Sequence, residues 1–167
     1  KKFELTTETK INIFGKKLFR IKALVSFESI IAGEKGGWIE KEENLSQSGN
    51  AWVYDNAEVS GNAWVYGNTR IYGNTWIFDN AWIFDNAEVS GNAEVSGNAV
   101  VSGDAVVSGD ACVRGNTEIS GDAWVSGNSD YTTIHGFGTQ FRTTTFFRCK
   151  DKQVKVSCGC FFGTIPE

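Results

Sequence analysis

The chain has 167 residues, a formal net charge of -4, 41% hydrophobic and 22% charged residues, enough for one domain or one short solenoid but not for two independent cores. Nineteen glycines, a single proline (Pro166) and no methionine point to a periodic β architecture that turns every few residues. Residues 49–132 carry only Arg70 and Arg114 against eleven carboxylates from Asp55 to Asp130, and the lysines lie in the flanks, so no basic stripe follows a phosphate backbone and nucleic acid is not an expected partner.

Residues 1–48 hold short alternating apolar stretches (Phe3 and Leu5; Leu18, Phe19 and Ile21; Leu24, Val25 and Phe27) separated by Gly15 and Gly33, which read as strands of an N-terminal β cap. From Gly49 the sequence runs GNAWVY, DNAEVS, GNAWVY, GNTRIY and onward to GNSDYT at Thr132, fourteen hexapeptides without an insertion. Inside each unit a small residue and an aliphatic one alternate, as in Ala51 then Val53 or Thr69 then Ile71, the period-two signature of a strand with one buried face. Gly-Asn and Asp-Asn pairs tolerate left-handed backbone and supply a corner every six residues.

This pattern resembles the hexapeptide-repeat family of left-handed parallel β-helices, in which an inward aliphatic residue recurs at every sixth position and three hexapeptides complete a triangular coil. The resemblance covers about half the chain. The left hand comes from it alone, since parallel crossovers are otherwise right-handed. It implies nearly five coils over residues 49–132, stacked at about 4.8 Å. The bore would be filled by Val53, Val59, Val65, Ile71, Ile77, Ile83, Val89, Val95, Val101, Val107, Val113, Ile119 and Val125. Tyr131 breaks the series, so the solenoid is expected to close near Thr132. The stacked Asn56, Asn74 and Asn92 are expected to form an amide ladder.

Residues 133–167 contain Thr143–Phe147 and Val154–Ser157 around Lys150-Asp151-Lys152, which reads as a C-terminal hairpin cap. Both flanks are similar to the ends of hexapeptide proteins of bacteriophages and their bacterial hosts, through Gly36-Gly37-Trp38-Ile39-Glu40, Asn44-Leu45-Ser46 and Ser157-Cys158-Gly159-Cys160-Phe161. A helix follows the region matching Cys160 in those proteins; here the chain stops at Glu167, and a truncated or altered end is the expectation. No apolar run nears the roughly 20 residues of a bilayer span, and Lys1–Thr9 lacks a signal peptide's apolar core. The expected setting is a bacterial cytoplasm without membrane contact, with Cys112, Cys149, Cys158 and Cys160 as thiols.

For chemistry, the family resemblance implies acyl transfer from acetyl-CoA, with a histidine at a coil edge as general base. This chain has one histidine, His135, outside the repeat, and the repeat extrudes no loop that could close over a cofactor arm; no catalytic residue and no cofactor are expected. His135 with Cys149, Cys158 and Cys160 offers a nitrogen and three thiolates, but a Cys-x8-Cys-x-Cys run is not a standard zinc spacing. Asp104 and Asp122 would stack one coil apart, a pair of hard oxygen ligands better explained as solvated corners. No metal is expected.

The informative feature is an aromatic belt. With eighteen residues per coil, outward positions of the first coils hold Trp52, Tyr54, Trp64, Tyr66, Tyr72, Trp76, Phe78, Trp82 and Phe84, whereas from Glu88 onward they are mostly Glu, Ser and Val. Trp64 falls over Trp82 and Tyr66 over Phe84 on one face, Trp52 over Arg70 and Tyr54 over Tyr72 on another. Part of the belt would lie under residues 1–48, and the remainder marks a contact. Trp and Tyr are favoured interface anchors, so the expectation is a non-enzymatic scaffold for protein binding or self-assembly, a homo-oligomer, with a phage-encoded inhibitor of a bacterial host or defence protein as its sharpest form. The alternative is a hexapeptide acyltransferase.

Overall fold

The computed structural model describes residues 1–137, 140–158 and 161–165; Cys160 lies outside them. Three longer strands come first, β1 (Phe3–Ile11), β2 (Lys17–Ala23) and β3 (Lys35–Ile39). Thirteen two-residue strands follow at six-residue intervals, β4 (Trp52–Val53) to β16 (Trp124–Val125), and then β17 (Tyr131–Phe137), β18 (Arg142–Arg148), β19 (Val154–Cys158) and β20 (Phe161–Thr164). Each short strand pairs in parallel with one eighteen residues away, as Trp64–Val65 does with Trp82–Ile83. The result is the all-β, parallel β-helix of about five stacked coils that the repeat predicts, with three faces. The first face carries Glu58, Trp76, Glu94 and Cys112 outward. The second carries Trp52, Arg70, Glu88, Val106 and Trp124, and the third Trp64, Trp82, Val100 and Glu118.

The second residue of every short strand points into the bore. All thirteen expected core residues, from Val53 to Val125, are at most 1% exposed, and no aromatic ring is needed to fill so narrow a section. Corner positions hold alanine, or threonines whose hydroxyls are satisfied locally: Thr75 Oγ1 donates to the Tyr72 carbonyl at 2.6 Å and Thr117 Oγ1 to that of Arg114 at 2.6 Å. Most corners open with a glycine at positive φ, and Asp79 and Asp85 take the same conformation at φ 60. Their carboxylates compensate by accepting the N–H of Gly97 and Gly103 in the next coil, each at 3.2 Å.

The expected amide ladder is present, and two more accompany it. Asn56 donates to Asn74 and Asn74 to Asn92, each at 3.3 Å, and Asn92 donates to Asp110 at 3.0 Å. Asn50, Asn68, Asn86 and Asp104 repeat the arrangement on a second corner. Asn62, Asn80, Asn98 and Asn116 form the third.

The parallel stack begins upstream of Gly49. Trp38–Ile39 in β3 pairs with Glu58–Val59, and Leu45 bridges to Val65. A Cβ on Gly36 would stand 2.5 Å from the Val53 carbonyl oxygen and 2.7 Å from the Trp52 ring, so only glycine lets β3 lie this close to the first coil. β1 and β2 extend the first face as an antiparallel meander. Lys2 and Phe3 tie it down: the Gln47 side chain accepts both their N–H groups, at 2.8 and 3.2 Å. At the other end β17 to β20 form an antiparallel sheet that includes the expected hairpin. Its Phe147 and Cys149 join the hydrophobic core, and the Tyr131 hydroxyl donates to the Cys112 carbonyl. Among the described residues no helix is long and apolar enough to cross a membrane.

Candidate functional site

The aromatic belt divides by face. On the second face Trp52 is a correction: expected on the contact surface, it is 0% exposed. Phe3 and Phe27 pack edge-on against it at 6.3 and 5.5 Å, because the N-terminal meander folds back over this end of the column. Tyr54 beside it is half-buried and meets Tyr72 edge-on at 6.3 Å. Tyr72 donates its hydroxyl to the Glu88 carboxylate, and burial, reinforced by that carboxylate, pushes its phenol up to about 12. On the first face Phe14, from the β1–β2 turn, leans on Trp76 at 6.1 Å and Phe78 at 4.7 Å.

The third face is left open. Trp64 and Trp82 are 40% and 47% exposed and meet edge-to-face at 6.2 Å. Trp64 stacks on Tyr66 at 4.2 Å, and Tyr66 stacks on Phe84 at 5.0 Å with the rings 8° from parallel. Burial, and then the neighbouring Asp85 carboxylate, raise the Tyr66 phenol above its ordinary range. Offset and edge-on contacts of this kind hold rings at fixed angles and add stability beyond the area they bury.

Above the indoles runs a groove of about 710 Å³, walled by Trp64 and Trp82 on one side and by Lys41, Glu42, Glu43 and Gln47 on the other. This second wall is built on Asn44, which is fully buried. Its Nδ2 donates to the carbonyls of Gly61 and Ala63 at 3.2 and 2.9 Å, and its Oδ1 accepts the Lys41 N–H at 3.0 Å. Lys41 Nζ reaches the Asn62 side chain at 3.2 Å, and Glu42 pairs with Lys1 at 2.6 Å. The groove is therefore held in shape before anything binds. Sequence reasoning found its indoles and missed the polar wall, because Lys41 to Gln47 lie outside the repeat and only the Asn44-Leu45-Ser46 motif marked them.

The other chemistry-bearing residues do not assemble at this groove. His135 is exposed on β17, with Nδ1 3.0 Å from the Thr143 hydroxyl, and it is absent from the groove lining. Cys158 accepts a hydrogen bond from the Thr144 hydroxyl at 3.0 Å. Among the described residues the potential metal ligands that converge are Asp122, Cys149 and Asp151, their donor atoms within 4.8 Å of one another. Lys155 already holds the Asp122 carboxylate, and burial, then Asp122, push the Cys149 thiol up to about 11. A metal would have to displace an ammonium and deprotonate a thiol that resists it, so this donor set suits an ion pair better. Asp104 and Asp122 do not act as a pair either: Asp104 accepts the Asn86 amide while Asp122 takes Lys155.

Comparison with known proteins agrees with the coil geometry. A family model described as the YdcK β-solenoid repeat matches residues 93–109, the stretch from the corner before Glu94–Val95 to the corner after Val106–Val107. This chain is a parallel β-helix built on a six-residue repeat. The β-helix is also similar to a curated Escherichia coli (strain K12) protein described as the uncharacterized acetyltransferase YdcK, at 47% identity over 47 residues. That match covers 28% of this chain and 14% of the relative, so the β-helix protein spans a small part of the relative's length.

Proposed function

We propose that this β-helix protein is a non-enzymatic binding or assembly scaffold whose third face docks a protein, either a partner or a second copy. One observation carries the reading: the chain covers two of its three aromatic columns with its own N-terminal meander, and leaves the third, with a preshaped groove, open to solvent. Exposed aromatic area of this kind marks contact surfaces. The flank resemblance to phage-encoded proteins is the reason for proposing a bacterial cytoplasmic target, a host or defence protein, as the partner.

The test is the double variant Trp64→Ala/Trp82→Ala, with Trp124→Ala as the control, since Trp124 is 49% exposed but lies on the second face. Light scattering after size exclusion, and binding to a purified partner, should change by about a hundredfold or more in the double variant and hardly at all in the control. An unchanged mass and unchanged binding in the double variant would refute the reading.

A second reading, acetyl transfer from acetyl-CoA, is favoured by the name of the curated relative. It predicts acetylation of an acceptor by purified protein and loss of that activity by orders of magnitude in His135→Ala. The scaffold reading predicts neither, and that pair of results would overturn it.

A further inference from the structure

The first face displays how this protein covers an outward tryptophan column. Over Trp38 lie Lys10 Nζ, at 4.5 Å from the ring centroid, and the Arg20 guanidinium, at 5.0 Å. Lys10 also pairs with the Glu58 carboxylate at 2.9 Å. Two coils beyond Trp38, and one beyond Glu58, Phe14 of the same meander packs on Trp76 and Phe78. The occupant of that face is thus an extended segment that sets cations over an indole, anchors one of them on a nearby carboxylate, and follows them with an aromatic ring.

The third face offers receptors of the same kinds, outward indoles with carboxylates at their margins, without an occupant. Trp64 and Trp82 stand outward in directly adjacent coils and in register, whereas Trp38 and Trp76 on the first face are two coils apart with Glu58 between them. Glu43 borders the groove at the top, Asp85 lies beside Tyr66 at one edge, and Glu118 ends the column below. Glu43, Asp85 and Glu118 make no ion pair among the described residues. Three cations border the same face, and Lys1 is taken up by Glu42. Lys41 is turned to Asn62, and Arg114 at a lower corner is turned to Cys112. Acidic charge also dominates the repeat as a whole, with two arginines against eleven carboxylates in residues 49–132.

We infer that the third face takes an extended basic polypeptide segment of a partner protein, whose Arg or Lys side chains stack on Trp64 and Trp82 and reach the flanking carboxylates, with an aromatic residue following over Phe84. The inference rests on the third face being the binding surface and names the chemistry of what binds there. Arginine is the better fit: its planar, weakly hydrated guanidinium stacks on an indole while its N–H fork remains free for a carboxylate. A charge-neutral apolar partner would leave Glu43 without a cation, and Asp85 with only the Gly103 N–H, at the rim of the contact.

The experiment titrates the whole protein calorimetrically with a short peptide alternating Arg and Phe, and with a second peptide in which Glu replaces every Arg. The basic peptide should bind, the acidic one should not, and the affinity should fall with added salt as screening shortens the reach of the carboxylates. Affinity should drop at least tenfold in Trp64→Ala/Trp82→Ala, which leaves the net charge unchanged, and severalfold in Glu43→Gln/Asp85→Asn. Trp124→Ala should bind like the parent, and far-ultraviolet circular dichroism should confirm that all variants fold. If the tryptophan double variant binds the basic peptide as tightly as the parent, the attraction is general acidity and the inference falls; equal binding of the acidic peptide sinks it as well. If the basic peptide does not bind, yet assembly or partner binding still depends on Trp64 and Trp82, the scaffold reading stands and this identification of the occupant is wrong. If neither depends on them, both fail.

Discussion

The tetrapeptide Ala-Trp-Val-Tyr occurs twice, at residues 51–54 and 63–66, and the two copies have opposite fates. Both place a valine in the bore at 0% exposure, yet the indole of Trp52 is 0% exposed and that of Trp64 is 40% exposed. Local sequence decides which way each side chain points. Whether an outward side chain meets solvent is decided by what folds over it, and here that is the meander of β1 to β3, anchored more than a coil away in sequence.

Inside the bore the two copies should break alike. Val53→Asp and Val65→Asp each bury a carboxylate with no partner, and each should lower stability by about 5 kcal/mol or more. A urea titration that found one of them tolerated would mean that the bore is wet at that level. The next largest effect separates the copies. Trp52→Ala should cost about 3–5 kcal/mol, because Phe3 and Phe27 lose the ring they pack on, whereas Trp64→Ala should cost less than about 1 kcal/mol. Equal melting temperatures for these two variants would mean that the meander does not cover the second face in solution.

Smaller changes probe the cover itself. Gly36→Ala inserts a methyl 2.5 Å from the Val53 carbonyl oxygen and should cost about 1–3 kcal/mol as β3 is pushed off the first coil. Fluorescence of the uncovered Trp52 should shift to the red in the same variant. Lys2 gives the mildest test. Its ammonium donates to the Ala51 carbonyl at 2.8 Å and lies 5.2 Å from the centre of the Phe27 ring, and burial lowers its pKa to about 8 from an ordinary 10.5. Between those values the unfolded chain binds a proton that the folded one has released, so this residue makes stability rise with pH across that window. Lys2→Met should lack that rise, which thermal melts of both proteins at the two ends of the window would detect.

The bore was legible because every sixth residue from Val53 to Val125 is Val or Ile and nothing else of that size recurs. The ladder was legible because Asn56, Asn74 and Asn92 share the same corner of the repeat. The burial of Trp52 was not, since its hexapeptide is identical to that of Trp64 and the difference lies in Phe3 and Phe27, remote in sequence. The polar wall of the groove was hidden for a related reason: Asn44 reads as an ordinary loop residue until its amide is seen bonded to Gly61 and Ala63. Asp122 and Cys149 are brought together by β18 meeting the last coil, a packing that no spacing between them announces.

The amide ladders carry a consequence for length. An asparagine both accepts from the coil before it and donates to the coil after it, so a column of asparagines has no natural end and could in principle run on through a fibre. Asp104 and Asp110 accept the incoming amide but, as carboxylates, have nothing to pass on. The next positions in those columns, Asp122 and Asn128, are engaged by Lys155 and by the Cys112 N–H instead. Two of the three columns thus run in one direction and terminate near the C-terminal sheet, which makes the solenoid a counted object rather than an open-ended one. Protection from end-to-end growth is distributed along its corners as well as placed at its caps.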